Sequence, residues 1–214
     1  MRIIQKPSPN FNRRKQPIDM LVLHYTGMET GEAAEARLCD PAAEVSAHYV
    51  VREDGVVVAM VPETERAWHA GVAQWQGHDD INSRSIGIEI VNGGHDFPLA
   101  SGTLPPYPAV QIAAVISLAS AILRRHAIPQ TRIVGHSDIA PSRKADPGEH
   151  FPWQVLSKNG IGLLPTALPA MEGQVARGKG LERGASGPSV SRMADMLGEI
   201  GYHVPPGARY GQAV

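Results

Sequence analysis

A chain of 214 residues has room for one domain with a sizeable core and an appendage. Lys and Arg (20) nearly balance Asp and Glu (21), for a formal net charge of −1; this excludes the one-sign field that would argue for a nucleic-acid partner or an anionic membrane surface. The single cysteine, Cys39, excludes an internal disulfide and any cysteine-based metal cluster, and reads as a buried small apolar residue.

Residues 1–10 carry no apolar run of signal-peptide length and no lipid-attachment cysteine. No segment approaches the roughly 20 apolar residues of a membrane span, so a cytoplasmic protein is expected. After a Pro- and Arg-rich lead-in, residues 20–24 (Met-Leu-Val-Leu-His) form a short apolar run ending in polar residues, as a buried strand does when its C-terminal end carries function. Residues 31–38 are rich in helix formers and stop before Pro41, which predicts a short helix. Residues 47–51 and 56–61 flank Glu53-Asp54-Gly55, and Asp-Gly between β-branched runs predicts an antiparallel hairpin.

Residues 86–91 (Ile-Gly-Ile-Glu-Ile-Val) alternate closely enough for a strand with Gly87 and Glu89 on the face opposite Ile86, Ile88 and Ile90. From Pro108 to His126 apolar residues recur at helical spacing, with Pro at the entrance and Arg124 and Arg125 near the end, where cations suit the helix dipole. Residues 131–136 read as the last strand, and Pro152 opens a short helix. The fold class is therefore α/β, a single mixed sheet flanked by helices. From about Ser157 the composition turns to Gly, Pro and Ala. This divides the chain into a folded unit at 1–160, a linker at 161–188 and a helical fragment at 189–214. The fragment is too small to bury a core of its own, so it is vestigial, docked on the folded unit, or disordered.

Two apolar runs each deliver a histidine at their end, His24 and His136, and the loop after His136 adds Lys144 and Asp146. Two imidazoles, one carboxylate and an open fourth position are what a hydrolytic metal needs. Asp138, two residues from His136, competes with Asp146 as the carboxylate. Glu89, flanked by isoleucines, is a candidate proton carrier whose pKa burial would raise. On an extended loop Lys144 would point to the same side as Asp146.

These segments, with Ala67-Trp68-His69-Ala70-Gly71 and Ser85 to Asn92 between them in order, resemble the zinc-dependent N-acetylmuramoyl-L-alanine amidases of the AmpD/AmiD type. That is the amidase type 2 family, related to phage-type lysozymes and peptidoglycan recognition proteins, and the resemblance spans about residues 17–162. It implies one zinc per chain held at strand ends by His24, His136 and Asp146, with Asp138 left as an acceptor for loop backbone N–H groups. It also implies Glu89 as general base, Lys144 as oxyanion stabiliser, and Tyr25, Trp68, His69 and Asn82 near the substrate.

The expected reaction is hydrolysis of the amide between N-acetylmuramic acid, ordinary or 1,6-anhydro, and the L-alanine of the stem peptide. Muropeptide recycling is the expected setting, with wall cleavage and phage-type lysis left open, and oligomeric state is undetermined. Members devoted to anhydro-sugars often carry Arg two residues before Asn82 and Asn after the first ligand; here these are Asp80 and Tyr25, which points to the broader branch. The tail resembles the opening of a peptidoglycan-binding helical repeat. Two rival readings stand beside this one: a non-catalytic muropeptide-recognition module, and a zinc peptidase cutting within the stem.

Overall fold

The chain is described by a computed structural model over residues 1–164, 182–207 and 209–211. Most of the expected linker therefore lies outside the described residues. Among the described residues, eight strands and six α-helices follow in chain order. The strands are β1 (Ile3–Gln5), β2 (Phe11–Arg13), β3 (Met20–Tyr25), β4 (Tyr49–Val51), β5 (Val57–Ala59), β6 (Glu65–Ala67), β7 (Ser85–Ile90) and β8 (Ile133–Gly135). The helices are α1 (Gly31–Cys39), α2 (Ile81–Arg84), α3 (Ala109–Arg125), α4 (His136–Ile139), α5 (Trp153–Lys158) and α6 (Pro188–Ile200).

Six strands make one mixed sheet in the order β1-β5-β4-β7-β3-β8, parallel except for the β4–β5 hairpin. A separate antiparallel pair joins β2 to β6. The expected single sheet is thus a six-stranded sheet with a small ribbon beside it. The 131–136 segment is less regular than its apolar run suggests. Gln130–Arg132 is a 3₁₀ turn, β8 keeps three residues, and His136 already opens α4.

The central strands are buried along almost their whole length, with one continuous apolar face and a second face that is apolar only in part. On one face Leu21, Leu23, Ile86, Ile88 and Ile90 pack against Ile112, Val115, Leu118 and Ile122 of α3, with Phe151, Leu156 and Ile161 closing the layer. Each such side chain removed from water contributes roughly 1.5–3 kcal/mol. Because Ile161 is fully buried, the packed unit runs past residue 160. On the other face Met20, Val22, Val134, Ile81 and Trp75 form one cluster, and Leu38 of α1 joins Val50, Val58 and Met60 in another.

α1 starts where Thr30 accepts the Ala33 N–H at 3.1 Å. Its buried Glu35 is held by Arg52 at 2.6 Å and Lys6 at 2.9 Å, which ties β1 and β4 to the helix. Cys39 at its end is half-buried, not fully buried as expected, because it packs only in part against the cluster that Leu38 joins. Among the described residues no helix is long and apolar enough to cross a membrane.

The tail helix α6 is docked. Tyr202, just after it, packs edge-on against Trp75 at 5.0 Å and donates its hydroxyl to Asp138, while Gln76 N–H bonds Gly201 O at 2.8 Å.

At the far end of α3, Glu63 accepts hydrogen bonds from Arg125, His126 and Tyr49 at 2.5–2.7 Å. Burial alone would raise its pKa; these donors outweigh burial and hold it at about 2, below the ordinary 4.5. A carboxylate depressed in the folded state stabilises fully above its unfolded pKa and loses that contribution as pH falls through the folded one. We expect Glu63→Gln to lower unfolding free energy at pH 7 by about 1–3 kcal/mol. In urea titrations at a series of pH values the gap to wild type should close between pH 4.5 and 2; a gap independent of pH would refute the charge-assisted account.

Candidate metal centre

Three strands aim the site. Parallel pairing sets His24 of β3 directly beside Glu89 of β7 and Leu23 beside Gly135, so that His136 emerges next to His24. The backbone then brings Asp146 in: Ser137 N–H bonds Asp146 O at 2.8 Å, and Gly148 N–H bonds Ala145 O at 2.9 Å. As a result His24, His136 and Asp146, all buried, offer ligand atoms to one point. His24 Nδ1, His136 Nδ1 and Asp146 Oδ2 stand 3.0 Å apart in every pair.

The donor set fits a zinc-like divalent ion. A tetrahedron with bonds of about 2.1 Å has edges of about 3.4 Å, so the three atoms need move apart only slightly. The His136 ring is held in the orientation a ligand requires. Ala70 O, which can only accept, lies 3.0 Å from Nε2, so the ring proton sits there and Nδ1 presents a lone pair. Burial, then the neighbouring His136, depress His24 to about 4 against the pull of Asp146, which keeps the imidazole neutral near pH 7.

Asp138 takes no part in this cluster. Its Oδ2 accepts Gly135 N–H at 2.8 Å and its Oδ1 the Tyr202 hydroxyl, so it braces the β8–α4 turn and joins the tail to it.

A cleft of about 200 Å³ opens over the cluster, lined among others by Tyr25, Trp68, Glu89 and Lys144. Glu89 is only half-buried as a residue, yet its Oε2 has no solvent contact and no hydrogen-bond partner. Burial first, and then the charge of Asp146, raise its pKa well above the ordinary carboxylate range against the pull of Lys144. A carboxyl whose pKa is raised in this way is a stronger base once ionised than an ordinary exposed carboxylate. Lys144 is exposed on the rim, on the same cleft as Asp146. Tyr25 bonds His95 Nδ1 through its hydroxyl at 3.0 Å, and Trp68 donates Nε1–H to Asn12 at 3.1 Å, leaving each ring as part of the cleft wall.

The other two expected substrate contacts are buried, and of them only His69 reaches the cleft. Asn82 is buried and its Oδ1 accepts the N–H groups of His69 and Ala70 at 3.0 and 2.8 Å, so it clamps the very segment whose Ala70 carbonyl orients His136. His69 is buried between His24 and Ser85. Asp80, the residue before α2, pairs with Arg66 at 2.7 Å. Sequence reasoning missed Asn12 altogether and, although Ala70 and Ser85 lie in segments that carry the resemblance, it gave neither of them a role.

Comparison with known proteins places the chain in a family. Residues 14–149 match the family Amidase_2, N-acetylmuramoyl-L-alanine amidase. The chain is 39% identical over 178 residues to the N-acetylmuramoyl-L-alanine amidase AmiD of Escherichia coli (strain K12), covering 77% of this chain and 63% of that protein, just under two thirds of its length. It is 34% identical over 166 residues to the 1,6-anhydro-N-acetylmuramyl-L-alanine amidase AmpD of the same strain, covering 69% and 86%.

Among solved structures, E. coli AmiD in complex with the substrate anhydro-N-acetylmuramic acid-L-Ala-D-gamma-Glu-L-Lys superposes with a TM-score of 0.73. The identity is 34%, and 92% of this chain and 82% of that one are covered. AmpDh3 from Pseudomonas aeruginosa, in complex with anhydromuramic pentapeptide, gives 0.72 at 32% identity, covering 95% and 83%.

If the three buried donors form the ion site, Asp146→Ala should reduce affinity for zinc by more than the roughly 10- to 100-fold typical of losing an outer partner. Asp138→Ala should change it far less. Competition with a chromophoric chelator reads both, and equal losses would contradict the assignment.

Proposed function

The chain belongs to the N-acetylmuramoyl-L-alanine amidase family, and from that premise we propose that it hydrolyses the amide between N-acetylmuramic acid and the L-alanine of peptidoglycan stem peptides. The observation that carries the reading is the convergence of His24 Nδ1, His136 Nδ1 and Asp146 Oδ2 at 3.0 Å beneath a cleft that holds an unpaired, proton-accepting Glu89. Nucleophilic side chains are not needed for such a reaction.

A zinc ion bound by His24, His136 and Asp146 would polarise the scissile carbonyl and make water acidic enough to ionise near pH 7. Around it, the chain's own groups divide the work. Glu89 removes the proton from the attacking water and returns it to the departing amine, a role that its raised pKa supports. Lys144 holds positive charge at the cleft beside the oxygen that becomes negative as the carbonyl turns tetrahedral. Trp68 and Tyr25 give flat walls against which a sugar ring or peptide can lie.

Both ordinary and 1,6-anhydro sugars fall within the proposed substrates, since relatives of both descriptions match the chain and two aligned structures carry anhydro-muramyl peptides. Turnover of muropeptides in recycling, in the cytoplasm, completes the proposal; fractionation of cells producing the protein checks the location.

Mass analysis of the products from a defined muropeptide tests the bond. Free sugar plus an intact peptide is the expected result. A shortened stem would make the protein a peptidase, and no cleavage by the zinc-loaded protein would make it a recognition module. We expect Glu89→Gln to retain one zinc per chain by elemental analysis while kcat falls by about 10²- to 10⁴-fold. Loss of zinc in that variant would place Glu89 among the ligands and overturn its role.

A further inference from the structure

Glu89 and His24 account for the outward end of the β3–β7 pair, but a line of polar atoms runs inward from His24 and ends on the backbone. His24 Nε2 lies 3.0 Å from His69 Nδ1, His69 Nε2 lies 3.0 Å from Ser85 Oγ, and Ser85 Oγ lies 2.6 Å from Ile81 O. All four residues are buried. The direction of every bond in the line follows from its last member. A carbonyl oxygen can only accept, so the one Ser85 hydroxyl proton goes to Ile81 O. Ser85 Oγ must then accept from His69, which puts the His69 ring proton on Nε2.

With His24 Nδ1 turned to the ligand cluster, the His24 ring proton belongs on Nε2, and His69 Nδ1, 3.0 Å away, is the atom that accepts it. That leaves the lone pair of His24 Nδ1 facing His136 Nδ1 and Asp146 Oδ2.

We propose that His69 and Ser85 form a one-way hydrogen-bond chain anchored on the Ile81 carbonyl, which fixes His24 in the tautomer that binds metal and makes both positioning residues for the ion. The strand itself is cut to fit this chain. Ser85, Gly87 and Glu89 share one face of β7 by the two-residue period. A Cβ on Gly87 would sit 2.4 Å from His69 Cγ, so the glycine is the seat of the His69 ring.

The same short segment orients both histidines of the cluster. The His69 side chain sets His24, the Ala70 carbonyl sets His136, and Asn82 Oδ1 holds the backbone of both residues. Two facing lone pairs 3.0 Å apart repel each other, which makes this tautomer pair costly on its own and a shared cation stabilising.

The inference rests on the reading of His24, His136 and Asp146 as metal ligands, and its test uses zinc and no muropeptide, so it can fail while the amidase reaction stands. His69→Phe keeps a ring in the seat and removes the acceptor; His69→Asn restores an acceptor oxygen at the Nδ1 position. Ser85→Ala removes the anchor two side chains away from the ion.

In chelator competition we expect zinc affinity to fall about 10- to 100-fold in His69→Phe and about threefold to tenfold in Ser85→Ala, and His69→Asn to recover most of the loss. Circular dichroism confirms that each variant is folded. Independently of any variant, long-range ¹H–¹⁵N correlation spectra of zinc-loaded wild type should show both His24 and His69 protonated on Nε2. A His69 proton on Nδ1, or affinities of the folded Phe and Ala variants within about twofold of wild type, would overturn the chain; an outer-partner role predicts losses larger than that. Wild-type protein that binds no zinc would sink the metal reading and the chain with it.

Discussion

Everything in this structure is arranged so that three electron-pair donors can be buried within 3.0 Å of one another and kept there. Imidazole and carboxylate groups leave water only if each remaining polar atom finds a partner, and here the outer ring nitrogens do. Ala70 O takes the outer nitrogen of His136 and His69 takes that of His24. The unmatched remainder of the three groups is directed at one point, which a cation satisfies. An apolar replacement would pack as well, so the cost of this polar cluster is accepted for chemistry rather than for stability.

The sheet makes that placement possible by separating its two faces. Ile86, Ile88 and Ile90 of β7 all bury against α3, while the residues between them, Ser85, Gly87 and Glu89, are released from packing duty. Parallel pairing then matters more than proximity in sequence. It puts His24 level with Glu89 across one hydrogen-bonded step, and it delivers His136 from the neighbouring edge strand. The functional groups sit at carboxyl ends of adjacent parallel strands, where loops can vary without disturbing the core.

The tail is coupled to this arrangement through Tyr202 and Asp138. Asp138 braces the turn that carries His136, and Tyr202 reaches it from beyond α6 while leaning on Trp75. A helix with one buried residue, Val190, has little core of its own, so its place on the molecule rests on Trp75, Gln76 and Asp138.

Much was legible in the linear chain wherever a local rule governs. The 3.6-residue spacing of α3, the Asp-Gly hairpin, the alternation of β7 and the residues at its ends all follow from short-range chemistry, and the resemblance carried by His24, His136, Asp146 and Glu89 named the site. What escaped depends on atoms that meet only when distant segments fold together. β1 and β2 are three-residue strands in a Pro- and Arg-rich stretch, and they exist because β5 and β6 supply their partners. Asn82 looked like a substrate contact because position in a motif says nothing about which backbone amides its oxygen will meet. Ser85 lay in a recognised segment, but nothing local gave it a role. Sequence by itself determined which groups can bind and move protons; only the tertiary structure decided which nitrogen of each ring carries its hydrogen, because that choice belongs to the partner on the far side of the ring.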